Sequence, residues 1–242
     1  MKKLIAPAVL ALLAHGSAAA APGYYLVTVY DEEGEKIAET GLWNVNPSAA
    51  SSVASPYFAF GYGVTKRWHT EVYAHFVRTE RSGTRFNSLA WQNDYLLTRG
   101  QYPVDLAVHT SLRRFDDTSL GYAFEFGPAL QTEFGRTQVN ANLFFERSYR
   151  DRQADRMQMK YQWQVKRHWR PKLSFGLQGF GELGDWNDWA PRREQSHRIG
   201  PAISGSLPVS ETHALKYEAA WFTGKVFANR AKVFVLRLKY AF

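Results

Sequence analysis

Three histidines and three acidic residues in the first half of the chain are the side chains best suited to chemistry. They are His69, His75, His109, Glu71, Asp94 and Asp105. A histidine beside an acid could activate a nucleophile or a water molecule, but no short motif surrounds these residues. His69 and His75 are six residues apart on one predicted strand, or about 20 Å at the usual strand rise, so they cannot share a metal ion. We therefore predict no enzyme activity, catalytic residue, metal site or cofactor.

The segments that carry these residues alternate between apolar and polar side chains. In 156–165, the apolar residues Met157, Met159, Tyr161, Trp163 and Val165 alternate without exception with charged or amide residues. A period of two predicts β-strands with one apolar and one polar face. Eleven such segments occupy 56–64, 68–78, 86–97, 102–112, 119–130, 137–146, 156–165, 171–182, 198–207, 214–222 and 230–242.

No helical segment is predicted that could cover the apolar faces of these strands, so a lipid bilayer must cover them. The sequence therefore predicts an all-β fold, an antiparallel up-and-down transmembrane β-barrel. Barrels of this type have an even number of strands and both termini in the periplasm. A further strand is expected within 36–45, which makes twelve, and ten or fourteen remain open. Tryptophan (8) and tyrosine (13) are abundant, as in the aromatic girdles of such barrels.

The first 20 residues have the features of a cleaved export signal. Lys2 and Lys3 precede an apolar stretch from Leu4 to Leu13, and small residues at 18–20 predict cleavage before Ala21. We expect a signal peptide at 1–20 and a single barrel domain at 21–242. Export also argues against a nucleic-acid partner for this basic chain, whose formal charge is +8.

Two features of the sequence resemble known families. The chain ends on Phe242 with Tyr240 two residues before it, as in bacterial outer-membrane β-barrels, and this terminal strand is expected to engage the barrel-assembly machinery. Segments 60–78, with Gly-Tyr-Gly-Val at 61–64, and 91–104, with Gly-Gln-Tyr-Pro at 100–103, resemble the phenol-degradation-pathway transporter-like family of Gram-negative bacteria. The resemblance implies a barrel in the outer membrane through which small, often hydrophobic, molecules pass, and it brings no catalytic motif.

Charged residues on the polar faces are expected to line the lumen and contact a solute. The acids are Glu71, Asp94, Asp105, Glu125 and Glu146, and the bases are Lys160, Lys172, Arg198, Lys216 and Arg237. Strands six apart face each other in a twelve-stranded barrel, so an acidic wall would confront a basic one. The side chains could then pair across the lumen and plug it, or leave an aqueous gap with a transverse field. Both alternatives stay open.

Arginines in the predicted outward loops form a second charged group, and their guanidinium groups suit the phosphates of lipopolysaccharide. The proposed contacts are Arg113, Arg114, Arg150 and Arg152. The alternative is a set of solvated loops. The sequence as a whole predicts a narrow outer-membrane channel for small solutes. A non-conducting barrel, plugged by ion pairs and by residues 23–35, is the alternative, and an outer-membrane enzyme is a third hypothesis.

Overall fold

The computed structural model describes residues 25–29, 33–80, 83–150, 156–170, 172–226 and 229–242. The predicted signal peptide, residues 1–20, lies outside these ranges. Among the helices of the described residues, none is long and apolar enough to cross a membrane.

The alternating segments form antiparallel strands that hydrogen-bond to their neighbours in chain order. The strands are Lys36–Pro47 (β1), Val53–Thr65 (β2), Trp68–Thr79 (β3), Gly83–Leu96 (β4), Asp105–Phe115 (β5), Tyr122–Phe134 (β6), Thr137–Tyr149 (β7), Gln158–Arg170 (β8), Leu173–Asp185 (β9), Asp188–Trp189 (β10), Ser196–Pro208 (β11), Ala214–Val226 (β12) and Asn229–Ala241 (β13). The two-residue β10 pairs only with β9, within the connection to β11. Strand β13 pairs with β1, so the twelve long strands close into a barrel. The predicted all-β up-and-down barrel of twelve strands is confirmed.

Both ends of the strand sequence meet at one rim. Lys36 and Phe242 exchange two backbone hydrogen bonds of 2.9 Å. We call this rim the termini end and the opposite rim the loop end. The connections at the loop end include residues 48–52 and 116–121, and the longest, 186–195, contains β10.

The outer face is apolar, as the alternation predicts. Phe58, Phe60 and Trp91 are each more than half exposed, although they lie well inside their strands. In water such a face would be unstable, whereas in a bilayer it contacts acyl chains. Exposed aromatic rings also lie close to both rims, among them Trp68 and Trp169 at the termini end and Tyr149 and Trp189 at the loop end.

The inner face differs from the prediction of a polar lumen. Ten buried residues from β1, β9 and β11–β13 pack together inside the barrel, mostly toward the loop end: Trp43, Val45, Phe180, Ala202, Ala220, Phe222, Val226, Ala231, Val233 and Val235. We call this group the apolar lumen cluster. The rings of Phe180 and Phe222 meet edge to face with centroids 5.2 Å apart. One side of the lumen is therefore filled by side chains, and the polar groups lie mainly on the strands of the other side.

Candidate functional site

A short stretch before the first strand, Tyr25–Val29, lies inside the barrel. Four of its five residues, all except Thr28, are buried. The chain reaches the termini end by Gly34, whose N–H donates to the carbonyl of Gly63 over 2.8 Å. We call Tyr25–Val29 the lumen segment.

The ring of Tyr25 lies between an aromatic ring and a cation. It stacks on Tyr73 at a centroid distance of 5.4 Å and an interplanar angle of 5°. The guanidinium carbon of Arg237 lies 5.2 Å from the centroid of the same ring. Gln92 Nε2 donates a hydrogen bond to the Tyr25 hydroxyl oxygen. Stacking, cation–π attraction and a hydrogen bond thus hold one tyrosine inside the lumen.

The main chain of the lumen segment is held as well. Val27 N–H donates to Gln162 Oε1 over 3.2 Å, and Asn142 Nδ2 donates to the carbonyl of Val27 over 2.9 Å. Arg237 Nη1 donates to the carbonyl of Leu26 over 3.3 Å. Asn142 and Gln162 lie on β7 and β8, whereas Arg237 lies on β13, the neighbour of β1. In a twelve-stranded barrel β1 and β7 are opposite each other, so the lumen segment bridges opposite sides of the wall.

A first cluster of charges lies on β4 to β8. Lys160 Nζ is 3.1 Å from Glu125 Oε2 and 2.8 Å from Glu146 Oε2. His109 Nδ1 lies 2.7 Å from Asp94 Oδ1, and its Nε2 lies 3.6 Å from Glu125 Oε1. We call these five residues the Lys160 cluster. The groups lie on adjacent strands, so the ion pairs run around the wall.

A second cluster lies on β13 and the first three strands. Arg237 Nε donates to Glu39 Oε1 over 2.6 Å, and Lys239 Nζ lies 3.1 Å from Glu39 Oε2 and 3.5 Å from Glu71 Oε1. The hydroxyl of Tyr57 donates to Glu39 over 2.7 Å. The Tyr57 ring packs against Gly41, where a Cβ atom would lie 2.5 Å from it. Glycine at this position therefore lets the ring reach the carboxylate.

Two cavities flank the lumen segment, and both are lined by Tyr25 and Val27. One is lined by residues that include Arg113, Lys160 and Arg198, which lie near the loop-end limits of their strands. The other cavity lies toward the termini end. Its residues include His69, Asp94 and Lys239. The lumen segment therefore separates a loop-end cavity from a termini-end cavity.

Eight of the ten predicted lumen residues lie on the wall within these clusters or close to a rim. Glu71, Asp94, Glu125, Glu146, Lys160 and Arg237 take part in the two clusters just described. Arg198 pairs with Glu182 on the neighbouring strand. Asp105 Oδ1 accepts a hydrogen bond from Gly100 N–H over 2.6 Å near the termini end.

The two remaining lysines lie at the termini end. Lys216 Nζ is 3.2 Å from Glu35 Oε1 and its side chain is half exposed. Lys172 does not line the lumen: it is exposed in the connection between β8 and β9, where its carbonyl accepts a hydrogen bond from Tyr217. The prediction for Lys172 is wrong because the segment around it reverses direction there. Glu39 was missed because the alternation in β1 is weak.

Pairing across the lumen, one of the two alternatives that the sequence leaves open, is not what the described residues show, because their ion pairs run along the wall. Adjacent strands lie about 4.8 Å apart, so long side chains on them meet readily. Lys239 and Glu71 are the pair that reaches furthest in the described residues, from β13 to β3.

The predicted lipid-facing arginines divide into three groups. Arg114 and Arg150 are exposed at the loop end. Arg113 is 8% exposed and lines the loop-end cavity, so its assignment to the lipid contact is wrong. The strand continues three residues beyond its predicted end at Leu112, which turns Arg113 inward and Arg114 outward. Arg152 lies outside the described residues.

The histidines serve in hydrogen bonds or ring stacking on the wall. His75 stacks on Tyr73 with centroids 5.6 Å apart, and His69 Nε2 lies 3.4 Å from Glu71 Oε1. Within the described part of the chain, no three of the His, Asp and Glu side chains are grouped closely enough to hold a metal ion.

Comparison with known proteins shows that the chain is similar in fold to several solved structures. No family model matches the chain, and no curated protein matches it in sequence. An outer membrane channel from Pseudomonas putida F1 is 12% identical with a TM-score of 0.63, covering 92% of this chain and 98% of the channel. The NanC porin is 8% identical with a TM-score of 0.57, covering 83% of this chain and 98% of the porin. The translocator domain of the autotransporter NalP from Neisseria meningitidis is 8% identical with a TM-score of 0.56, covering 88% of this chain and 90% of the domain.

These comparisons define the class of fold. The chain is a closed twelve-stranded β-barrel with the architecture of outer-membrane channels and porins. The resemblance to the phenol-degradation-pathway transporter-like family stays a prediction.

Proposed function

We propose that the protein spans the outer membrane of a Gram-negative bacterium and provides a narrow route for small solutes. In the described conformation the lumen segment closes this route. The observation that carries this proposal is the pair of cavities separated by Tyr25 and Val27. Removing the segment from between them would join the two cavities. The polar side of the lumen, with His109, Asp94 and Glu125, would then line the route.

The orientation and partners follow from the same proposal. The termini end faces the periplasm, where the barrel-assembly machinery binds the terminal strand β13 and the Phe242 that follows it. The loop end faces outward, and Arg114 and Arg150 contact the phosphates of lipopolysaccharide. We assign no enzyme activity to the protein.

The test is single-channel recording of the refolded protein in a planar bilayer. Three forms are compared: wild type, Tyr25→Ala, and Tyr62→Ala as a matched control on the outer face. Loss of the Tyr25 stacking and cation–π contacts removes about 2 kcal/mol, which favours the open lumen roughly tenfold or more. We expect rare current steps from wild type and Tyr62→Ala, and frequent steps from Tyr25→Ala.

A non-conducting barrel is the second candidate function, and the apolar lumen cluster favours it. Phe222 and Val233 are fully buried inside the barrel, so that side of the lumen offers no aqueous route. Absence of current in all three forms, each shown to be folded by heat-modifiable migration on a gel, would reject the channel and leave a structural barrel.

A further inference from the structure

The lumen holds a short stretch of polypeptide, the lumen segment. The wall binds the main chain of the segment at three points, the Val27 N–H, the Val27 carbonyl and the Leu26 carbonyl. It also binds a tyrosine side chain between Tyr73 and Arg237. We propose that the lumen is a binding site for short extended peptides that carry an aromatic residue, and that such peptides replace the lumen segment in the site.

The contacts to the main chain decide in favour of a peptide over a simple aromatic molecule. An aromatic ring alone would use only the place between Tyr73 and Arg237. Gln162 and Asn142, in contrast, supply an acceptor for an amide N–H and a donor for a carbonyl. This pair of side chains complements the N–H and the carbonyl that every residue of a peptide other than proline presents. The inference rests on the proposed route through the lumen and names the class of molecule that enters it.

A second observation indicates that the site can accept a hydrogen bond that its present occupant does not donate. Asn142 is 3% exposed, and its Oδ1 atom accepts no hydrogen bond from any of the residues that the structure describes. A buried amide oxygen without a donor is destabilising, by about 1–3 kcal/mol in proteins. An additional N–H of a bound peptide is a suitable donor for it.

The lumen segment has an advantage over any free peptide because it is covalently attached. A short flexible connection gives an effective concentration in the millimolar range. A free peptide therefore binds weakly to the wild-type barrel. It binds more tightly once the attached segment is weakened, and Tyr25→Ala is the substitution that removes its largest contact.

The experiment measures fluorescence anisotropy of a labelled, end-capped pentapeptide, Tyr-Leu-Val-Thr-Val, which has the sequence of residues 25–29. The barrels are the full chain as wild type, Tyr25→Ala and Tyr62→Ala, refolded in the same detergent. We expect binding to Tyr25→Ala at least tenfold tighter than to the other two. The peptide Ala-Leu-Val-Thr-Val is expected to lose most of this affinity.

Recognition of the main chain is tested with a second substitution and a competitor. Asn142→Ala in the Tyr25→Ala barrel is expected to weaken binding of the pentapeptide about fivefold or more, and Gln162→Ala replaces it if that barrel does not fold. Unlabelled p-cresol, which presents the ring without a main chain, is expected to compete only at concentrations at least tenfold above those of the unlabelled pentapeptide.

Several results would overturn the inference. The first two are that folded Tyr25→Ala shows no saturable binding, or that all three barrels bind the pentapeptide equally. The other two are that a pentapeptide of reversed sequence binds equally well, or that p-cresol competes at the same concentration as the pentapeptide. Current through Tyr25→Ala without peptide binding would remove this inference and keep the proposed channel. Peptide binding without current would keep the site and reject the channel.

Discussion

Removal of the buried cation Lys160 is expected to destabilise the barrel strongly. Its ammonium group lies 2.8 Å from Glu146 and 3.1 Å from Glu125, and the side chain is 12% exposed. Lys160→Met keeps much of the side-chain volume but leaves two carboxylates close together without a compensating charge. Breaking a buried ion pair by removing one partner costs about 3–5 kcal/mol. We therefore expect the free energy of unfolding to fall by about that amount.

The assay is urea unfolding of the refolded barrel in lipid vesicles, followed by tryptophan fluorescence and heat-modifiable migration. Arg156→Met is the matched control, because Arg156 pairs with Asp185 at 2.9 Å but its side chain is 75% exposed. We expect little or no change for this control, since exposed ion pairs contribute little. A second substitution, Glu146→Gln, is expected to restore part of the stability of Lys160→Met. Equal unfolding curves for Lys160→Met and Arg156→Met would refute the reasoning, because they would mean that the Lys160 cluster is hydrated.

Three further predictions test the apolar lumen cluster, the membrane face and the loop-end arginines. Phe222→Ala should lower the free energy of unfolding by about 3–5 kcal/mol, because it leaves a cavity in the cluster. Phe60→Ala on the outer face should lower it less in the same urea titration. Equal losses would contradict the packing of the cluster. Leu236→Arg should cost about 2–4 kcal/mol in vesicles if this outward position lies near the bilayer midplane, and an unchanged midpoint would contradict its contact with lipid. The double substitution Arg114→Ser and Arg150→Ser should reduce cosedimentation with lipopolysaccharide vesicles, and unchanged cosedimentation would remove the proposed contact.

The strand pattern could be predicted because one physical rule applies along the whole chain. Lipid outside the barrel requires an apolar side chain at every second position, and the strand rise makes about ten residues enough to cross the bilayer. The segment from Met157 to Val165 shows this alternation in the sequence and lies largely in β8. The limits of the strands were less accurate: β5 begins at Asp105, three residues after the predicted start, and ends at Phe115. Pro103 lacks the N–H group that a strand needs, while the alternation continues past Leu112 to the outward Arg114.

The lumen was harder to predict because alternation gives the face of a residue but neither its depth nor its neighbours. Phe222 and Val233 carry inward side chains that are as apolar as the outward ones, so alternation gives no sign at these positions that the lumen is filled. Which charges pair depends on the register between strands. Glu182 meets Lys160 in the β8–β9 register, yet its carboxylate pairs with Arg198 on the other side.

The position of the lumen segment could not be derived from periodicity at all. Tyr25–Val29 reads as a short β-rich stretch, and the sequence alone offers no reason for it to leave the sheet. In the structure the sheet already closes through β1 and β13, so each of the twelve long strands has a neighbour on both sides and offers the segment no edge to join. Three of its main-chain groups are instead bonded by side-chain amides and a guanidinium on the inner wall. The same closure that gives the barrel its stability therefore makes those side chains, and not a sheet edge, the groups that recognise a peptide in the lumen.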